Sequence, residues 1–460
     1  MSAIKTKLIG VLIALSCVLS IVIADIPDIS KSGKTCLLLT LTAVIFWIFK
    51  VADTSFIAGA YLVLLLILKA GSTADVFYAW TDGISWLVIG SFLITHAVVS
   101  SGICRRLTYL FVLRFVCSFR SLVISIFVLS TALALIIPNP WPRCLILIAT
   151  VKEIANAANL SRRDRATVGF SVFAASIPSC FIFQTGAAAM NQLVLSFADI
   201  SLSWLEWFKL MGVPGICITV LYCLLFLILF PSKEPFLIDY TALQQVLSDM
   251  GKISKKEIRI IIWLGIAVIV WLTDEIHGIK SAWSTFGLAM LMAFPGIGGV
   301  IQKESWKEIP VDTLVYQTAA VAIGRVGTQT GMTAWITRHF LPSSFPNNLF
   351  ISVLIIAVTC MALHVFLGST IAANSILIPA FLLCSTTLPI PPVICVLICY
   401  TAIFSQFIFP YQHINILMGI GTLGMYEDRI CYRLALPLTF LIPLVIAFIE
   451  IPWWIFLGVL

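Results

Sequence analysis

Hydrophobic residues along this chain gather into long unbroken runs, near residues 8–23, 35–50, 54–70, 84–103, 166–197, 206–230, 258–274, 283–300, 313–332, 393–418 and 434–457. A helix that crosses the hydrocarbon of a bilayer needs about 20 mostly apolar residues. The pattern therefore predicts an all-α polytopic membrane protein with about 11 transmembrane helices. Two more apolar stretches, residues 121–160 and 348–388, are too long for one crossing. Each is interrupted near its middle, the first by Ile137-Pro138-Asn139-Pro140-Trp141-Pro142-Arg143 and the second by His364-Val365-Phe366-Leu367-Gly368-Ser369-Thr370. Prolines remove amide donors and fix backbone angles, and Gly368 with two hydroxyl residues loosens the second stretch. Both are predicted to be re-entrant helical hairpins that enter the bilayer and turn back.

Composition agrees with the pattern. Of 460 residues, 60% are hydrophobic and 11% charged, against about a quarter charged in a soluble domain. The net charge of +7, from 28 Lys+Arg and 21 Asp+Glu, is first a matter of topology, and no nucleic-acid partner is implied. Basic residues concentrate on the connections that alternate to one side, including Arg105, Arg106, Arg162, Arg163, Arg165 and the segment from Lys252 to Arg259. The positive-inside bias then puts the N-terminus in the cytoplasm and the C-terminus outside, in a plasma (inner) membrane. Lys5 and Lys7 precede a first span rather than a cleaved leader, because Ala24-Asp25-Ile26 is a poor cleavage site. Thirteen Cys lie scattered in apolar runs without CxxC or Cys/His clustering, so neither a metal site nor a disulfide framework is expected.

The chain also repeats itself. Trp80 to Leu113 resembles Trp306 to Leu341: a tryptophan opens, an apolar run follows, and Ser101-Gly102 or Thr330-Gly331 closes it. Pro138-Asn139-Pro140 and Gly368-Ser369-Thr370 recur at a similar offset. The division is a first repeat over 1–230, a cytoplasmic linker over 231–257 and a second repeat over 258–460. An odd number of crossings separates the copies, so they are inverted, as in many secondary transporters.

Non-helical backbone at membrane depth survives only where protein or a water-filled cavity surrounds it, so two turns at depth mark a cavity. Helix N-termini that begin at such turns suit an anion. Arg143 and Arg325 are the cations at depth. No Asp or Glu qualifies, Glu450 being the most ambiguous, and a carrier of cations would need one. The inventory favours an anionic substrate. His364 and His413 titrate near neutral pH and are candidates for proton coupling, beside their alternative as packing residues.

Phe46-Trp47-Ile48-Phe49-Lys50-Val51-Ala52-Asp53 through Gly71, Trp306-Lys307-Glu308-Ile309-Pro310-Val311-Asp312-Thr313-Leu314 and Thr330-Gly331-Met332 together resemble the divalent anion:sodium symporter (DASS) family of dicarboxylate, citrate and sulfate carriers, in the wider ion transporter superfamily. The resemblance covers nearly the whole chain. It implies a homodimer built on a scaffold domain, a transport domain that moves like an elevator, and a Ser-Asn-Thr triplet at each hairpin tip holding substrate carboxylate and sodium. Here the triplets read Pro138-Asn139-Pro140 and Gly368-Ser369-Thr370. The Thr-Pro-Pro-Asn stretches after the hairpins are replaced by Gln184-Thr185-Gly186-Ala187 and Pro410-Tyr411-Gln412-His413-Ile414-Asn415. Arg143 can supply a fixed charge where relatives place a mobile ion.

The chain is thus expected to be a secondary active carrier of small anions, di- or tricarboxylates foremost, acting as symporter or antiporter. Asn139, Arg143, Thr185, Ser369, Thr370 and Gln412 would bind substrate, His364, His413 and Arg325 would serve coupling, and Na+ or H+ would be the coupling ion, with no other cofactor. The alternatives are a sodium-independent efflux carrier or exchanger of an inorganic oxyanion or other solute, and a membrane enzyme or sensor, for which no catalytic constellation is found.

Overall fold

The computed structural model describes residues 3–23, 28–198, 200–341, 345–385, 390–421 and 423–460. It is 79% helix, and no strand occurs among the described residues. Eight of its helices are long and apolar enough to cross a membrane, and four shorter apolar helices, Thr54–Ile67, Ser281–Ala293, Thr370–Leu383 and Pro392–Phe404, accompany them.

Helix ends follow local chemistry. Ser118, Ser203 and Ser254 each accept from the amide three residues on, and Ser121, Glu206 and Glu257 return the bond to the cap, satisfying amide donors that a helix start leaves unpaired. The repeated Ser-Gly and Thr-Gly pairs prove to be helix stops: Gly102 and Gly331 end Ile84–Ser101 and Val311–Thr330 with φ near +82° and +81°, where a side chain would be strained.

Both interrupted stretches are broken where the sequence breaks them. The first consists of Phe119–Ile136 and Pro140–Ala157, the second of Leu349–Leu367 and Thr370–Ser385. Their arms begin 230 positions apart, at Phe119 and Leu349 and at Pro140 and Thr370. Two other predicted spans differ from expectation. The run 166–197 is cut after Ser176, where Pro178 and an extended Phe183 lead into a 3-10 turn, Gln184–Ala187, before helix Ala188–Ser196. The run 393–418 is cut likewise between Phe404 and Ile414, with the 3-10 turn Pro410–Gln412 inside the gap. The gaps stay apolar enough, with Phe, Ile and Pro, to pass as continuous spans in a hydropathy reading.

Two apolar clusters hold the helices. The larger joins helices of both halves, from Val88 to Trp454. The smaller packs Lys31–Ile48 and Thr54–Ile67 against Val311–Thr330.

Polar contacts sort the connections into two sets. In one, Arg338 pairs with Asp28 at 3.0 Å, Arg325 with Asp75 and Lys280 with Asp82, each at 3.5 Å, and Ser203 Oγ donates to Glu275 at 2.8 Å. In the other, Arg105 pairs with Glu153 at 2.9 Å, and Ser232 bonds Asp164. There too, Asp239 N donates to the Ala157 carbonyl at 3.1 Å while Tyr240 Oη donates to the Val116 carbonyl at 2.7 Å. Two consecutive residues therefore touch both the chain just ahead of the first interrupted stretch and the end of its second arm.

The second set centres on Arg106, whose Nε donates to Glu257 Oε1 at 2.8 Å while its two Nη atoms donate to the Gly251 and Met250 carbonyls at 2.8 and 3.0 Å. Each of its three nitrogens finds an acceptor, the direction in which a buried pair repays its desolvation. The Arg106 guanidinium holds the Glu257 carboxyl, which lies on the polar turn ahead of the apolar run, below the usual carboxylate range. A depressed carboxyl stabilises the fold above its unfolded value, near 4.3, and loses that contribution as pH falls through the folded one. Thermal unfolding in detergent should show stability falling as pH is lowered below about 4.5. Glu257→Gln should flatten that dependence; an unchanged profile in the variant would remove the pair from the account.

Candidate functional site

The turn of the first hairpin is made by its own sequence. Asn139 caps the second arm, its Oδ1 accepting from Trp141 N at 2.9 Å. Pro140 and Pro142 have no amide hydrogen, so of the first four residues of this arm two lack a donor and a third is taken by the cap. The tip therefore has few amides to offer an anion, contrary to the general expectation for a helix start.

What it has is Arg143. The side chain is 0% exposed. Its Nη1 donates to the Ile137 carbonyl at 3.1 Å and to the Gly186 carbonyl at 2.6 Å, and its Nη2 lies 3.5 Å from both Ser179 Oγ and Cys180 Sγ. Ile137 belongs to the hairpin turn, and Gly186 to the break in the following helix. The guanidinium thus occupies a cage of oxygens at the junction of two backbone breaks, a position whose chemistry suits a cation. Gly186 makes the approach possible, since a Cβ there would lie 2.7 Å from the Cys180 carbonyl oxygen. Thr185 Oγ1 donates to the Ala134 and Leu135 carbonyls at 3.3 and 3.2 Å, bonding the break to the first arm. A small cleft beside it is lined by Pro138, Gln184, Thr185 and Gln192 on one wall and by Ser91 and Thr285 on the other.

The second hairpin tip is chemically different. Ser369 Oγ shares a 2.8 Å hydrogen bond with Tyr316 Oη, and Thr370 Oγ1 donates to the Gln412 carbonyl at 2.8 Å. Gln412 Oε1 accepts from Ile408 N and Phe409 N at 2.8 and 2.7 Å, folding the second break around its own side chain. His364 and His413 are both buried, His364 lies beside the Gln412 backbone, and His413 sits edge-on to Phe404 with ring centroids 4.8 Å apart. Neither ring nitrogen of either histidine completes a hydrogen bond, nor do Gln406 Nε2 and Oε1, Gln412 Nε2 or Asn374 Oδ1. Buried polar atoms are normally paired, so orphans concentrated at one hairpin tip and its neighbouring break mark a place built to hold something polar.

Asn191 joins the halves. Its Nδ2 donates to the Cys180, Phe183 and Gln184 carbonyls at 3.0–3.2 Å, and its Oδ1 accepts from Tyr400 Oη at 2.7 Å. From the other direction, Asn415 Nδ2 donates to Ser176 Oγ at 2.9 Å.

The structure brings Arg143, Thr185 and the Asn139 cap together at the first tip, and Ser369, Thr370, Gln412, His364 and His413 at the second. Arg325 stands apart, paired with Asp75 and lying 3.6 Å over the Tyr78 ring. Sequence reasoning did not single out Gln184, Asn191, Gln192, Asn374 and Gln406, because outside the two turns and the stretches that follow them it weighed only ionisable groups. Amides inside apolar runs carry the same signal at smaller cost. It also counted no carboxylate at depth, whereas Glu450 is fully buried within the last helix.

Comparison with known proteins accords with this architecture. The family described as the sodium:sulfate symporter transmembrane region matches residues 5–460. The chain is 27% identical over 420 residues to a chloroplastic dicarboxylate transporter 1 of Arabidopsis thaliana, covering 85% of this chain and 72% of that protein. It is 27% identical over 340 residues to the chloroplastic dicarboxylate transporter 1 of Spinacia oleracea, covering 69% and 58%, and 24% identical over 389 residues to a membrane protein of Cupriavidus necator, covering 81% and 74%.

Removing Arg143 leaves buried carbonyls of two breaks unpaired. A buried acceptor left unsatisfied costs about 1–3 kcal/mol. Arg143→Met should lower the unfolding temperature of the detergent-solubilised protein markedly, and Arg143→Lys, which keeps one cation near the cage, should lower it less. Equal stability of Arg143→Met and wild type would contradict the role assigned to the guanidinium.

Proposed function

Starting from the premise that the chain belongs to the family of sodium:sulfate symporter transmembrane regions, we propose that it is a carrier of small dicarboxylates that needs no sodium at its first hairpin. The family is one of transporters, and two of the relatives above are named for dicarboxylates. The observation that carries the reading is the seat of Arg143. A tethered guanidinium fills the oxygen cage between hairpin turn and helix break, so the charge a mobile cation would bring is part of the protein.

In this reading the two halves are inverted repeats, both hairpins are re-entrant, and the substrate is held between the tips. Its carboxylates meet the field of Arg143 on one side and, on the other, Ser369, Thr370 and the amides of the second arm, whose first turn lacks proline. Thr185 and Gln412 hold the breaks in register with the tips. His364 and His413 are the imidazoles of the second tip, both buried and without a hydrogen-bond partner on either ring nitrogen, which makes them the local candidates for proton coupling. Arg325, paired with Asp75, serves the packing of its helix. Transport proceeds by an elevator motion of the hairpins and broken helices within a homodimer, the N-terminus being cytoplasmic.

Uptake of radiolabelled malate into proteoliposomes, with and without an inward sodium gradient, tests the proposal. Wild type should take up malate equally in both conditions, unlabelled succinate should compete, and sulfate should compete weakly. Arg143→Ala should lose at least about tenfold, the effect of some 1.4 kcal/mol. Sodium-driven uptake of undiminished magnitude in Arg143→Ala would overturn it, and stronger competition by sulfate than by succinate would favour an oxyanion exchanger instead.

A further inference from the structure

Glu450 is 0% exposed and lies in a π-helical turn, Ile446–Glu450, within the last membrane-spanning helix. Pro452 gives that turn a local cause, since it cannot donate to the carbonyl four residues back and crowds it. It does not explain a carboxyl inside the bundle. Glu450 Oε1 accepts from Thr401 Oγ1 at 3.0 Å, and Oε2 has no partner.

Five elements pack against this turn: Asp428–Val445, Ile451–Phe456, Leu349–Leu367, Trp204–Leu229 and Pro392–Phe404. Their buried titratable side chains are Cys431 on the first, Cys360 and His364 on the third, Tyr222 on the fourth, and Cys395, Cys399 and Tyr400 on the fifth; the second contributes none. Their charged residues, Glu206, Lys209, Asp428, Arg429 and Arg433, are all exposed near helix starts. No cation answers Glu450 among the described residues. A lone carboxylate in such surroundings is unfavourable, and a buried carboxyl without a counter-charge stays protonated.

From Glu450 a file of hydrogen bonds runs to the second break. Thr401 donates to the carboxyl, Ser405 Oγ donates to the Thr401 carbonyl, and Tyr222 Oη donates to the Ser405 carbonyl. The next residue is Gln406, fully buried with both amide atoms unpartnered.

We infer that Glu450 is a proton-binding site whose loading and release are coupled to rearrangement of the broken helix from Pro392 to Ile420, an inference that rests on the reading of the chain as a carrier. In the conformation described, the carboxyl holds its proton on Oε2. Release passes that proton to water and leaves a carboxylate with one hydrogen bond. The anion then needs further donors. The hydroxyls of Ser405 and Tyr222 are already spent on backbone carbonyls. The unspent ones at the end of the file are the amide hydrogens of Gln406, which make no bond to Glu450 in the conformation described and would come to it by a shift of the break. Proton occupancy and helix position thus bias each other, the reciprocity that any coupling requires. π-Turns recur at functional sites, and intramembrane carboxyls are functional by default.

The full chain, reconstituted without sodium, provides the test through three readouts. Infrared difference spectra should show a carboxylic acid carbonyl band that titrates with pH in wild type and is absent from Glu450→Gln. An inward proton gradient should drive wild type to accumulate malate, up to about tenfold per proton and per pH unit. Glu450→Gln should lose that accumulation while malate–malate exchange, which needs no net proton movement, falls far less. Thr401→Val, which removes the single hydrogen bond, should keep accumulation but shift its pH dependence and the carbonyl band.

Accumulation by Glu450→Gln at the wild-type level, or a wild type without a titrating carbonyl band, would overturn the inference. Should the Gln variant fail to fold, the wild-type titration and the Thr401→Val shift still decide it. The infrared band does not depend on malate, so a failure of the dicarboxylate reading, seen as absent exchange in wild type, is distinguishable from a failure here.

Discussion

Backbone broken inside an apolar bundle must find partners for every exposed amide and carbonyl, because no water stands ready to take them. Among the described residues the backbone leaves the helix inside the packed bundle at the two interrupted stretches and in the two helices that follow them. The rest of the structure is organised by how those breaks are paired. Arg143 takes carbonyls from one turn and one break, Asn191 takes three carbonyls of that same break, and Gln412 folds the other break around its side-chain oxygen. Each is a polar side chain placed where it can serve several backbone atoms at once.

The halves solve the same problem with different chemistry. In the first, three prolines thin out the amide donors of the turn and a guanidinium supplies positive charge in their place. In the second, hydroxyls and free amides remain, no cation is built in, and the polar side chains nearby are left incompletely paired. Glu450 adds to the contrast, for Trp204–Leu229, which packs against its turn, carries no charged residue beyond Lys209.

Much of this was legible in the primary structure. Long apolar runs forced helices, Pro138, Pro140 and Pro142 forced the first turn, and Gly368 with Ser369 marked the second. Ser101-Gly102 and Thr330-Gly331 announced helix ends through the left-handed conformation that glycine alone adopts freely. Arg143 was legible as important, because a cation in an apolar run is too costly to be incidental. The breaks at 177–187 and 405–413 were not visible as breaks, since Phe, Ile and Pro keep them hydrophobic while the backbone leaves the helix.

Linear order determined membrane residence, the positions of the turns and the recurrence of elements at a near-constant offset, for these follow from local propensity and from the cost of placing each side chain in lipid. Tertiary structure alone decided the partners. That Arg143 captures the Gly186 carbonyl, that Asn191 bonds Tyr400, that Asp75 answers Arg325 and that Glu450 meets Thr401 and no cation among the described residues all depend on residues tens to hundreds of positions apart. Hydrogen bonds and ion pairs act over about 3 Å, and only the packed chain sets which groups come that close.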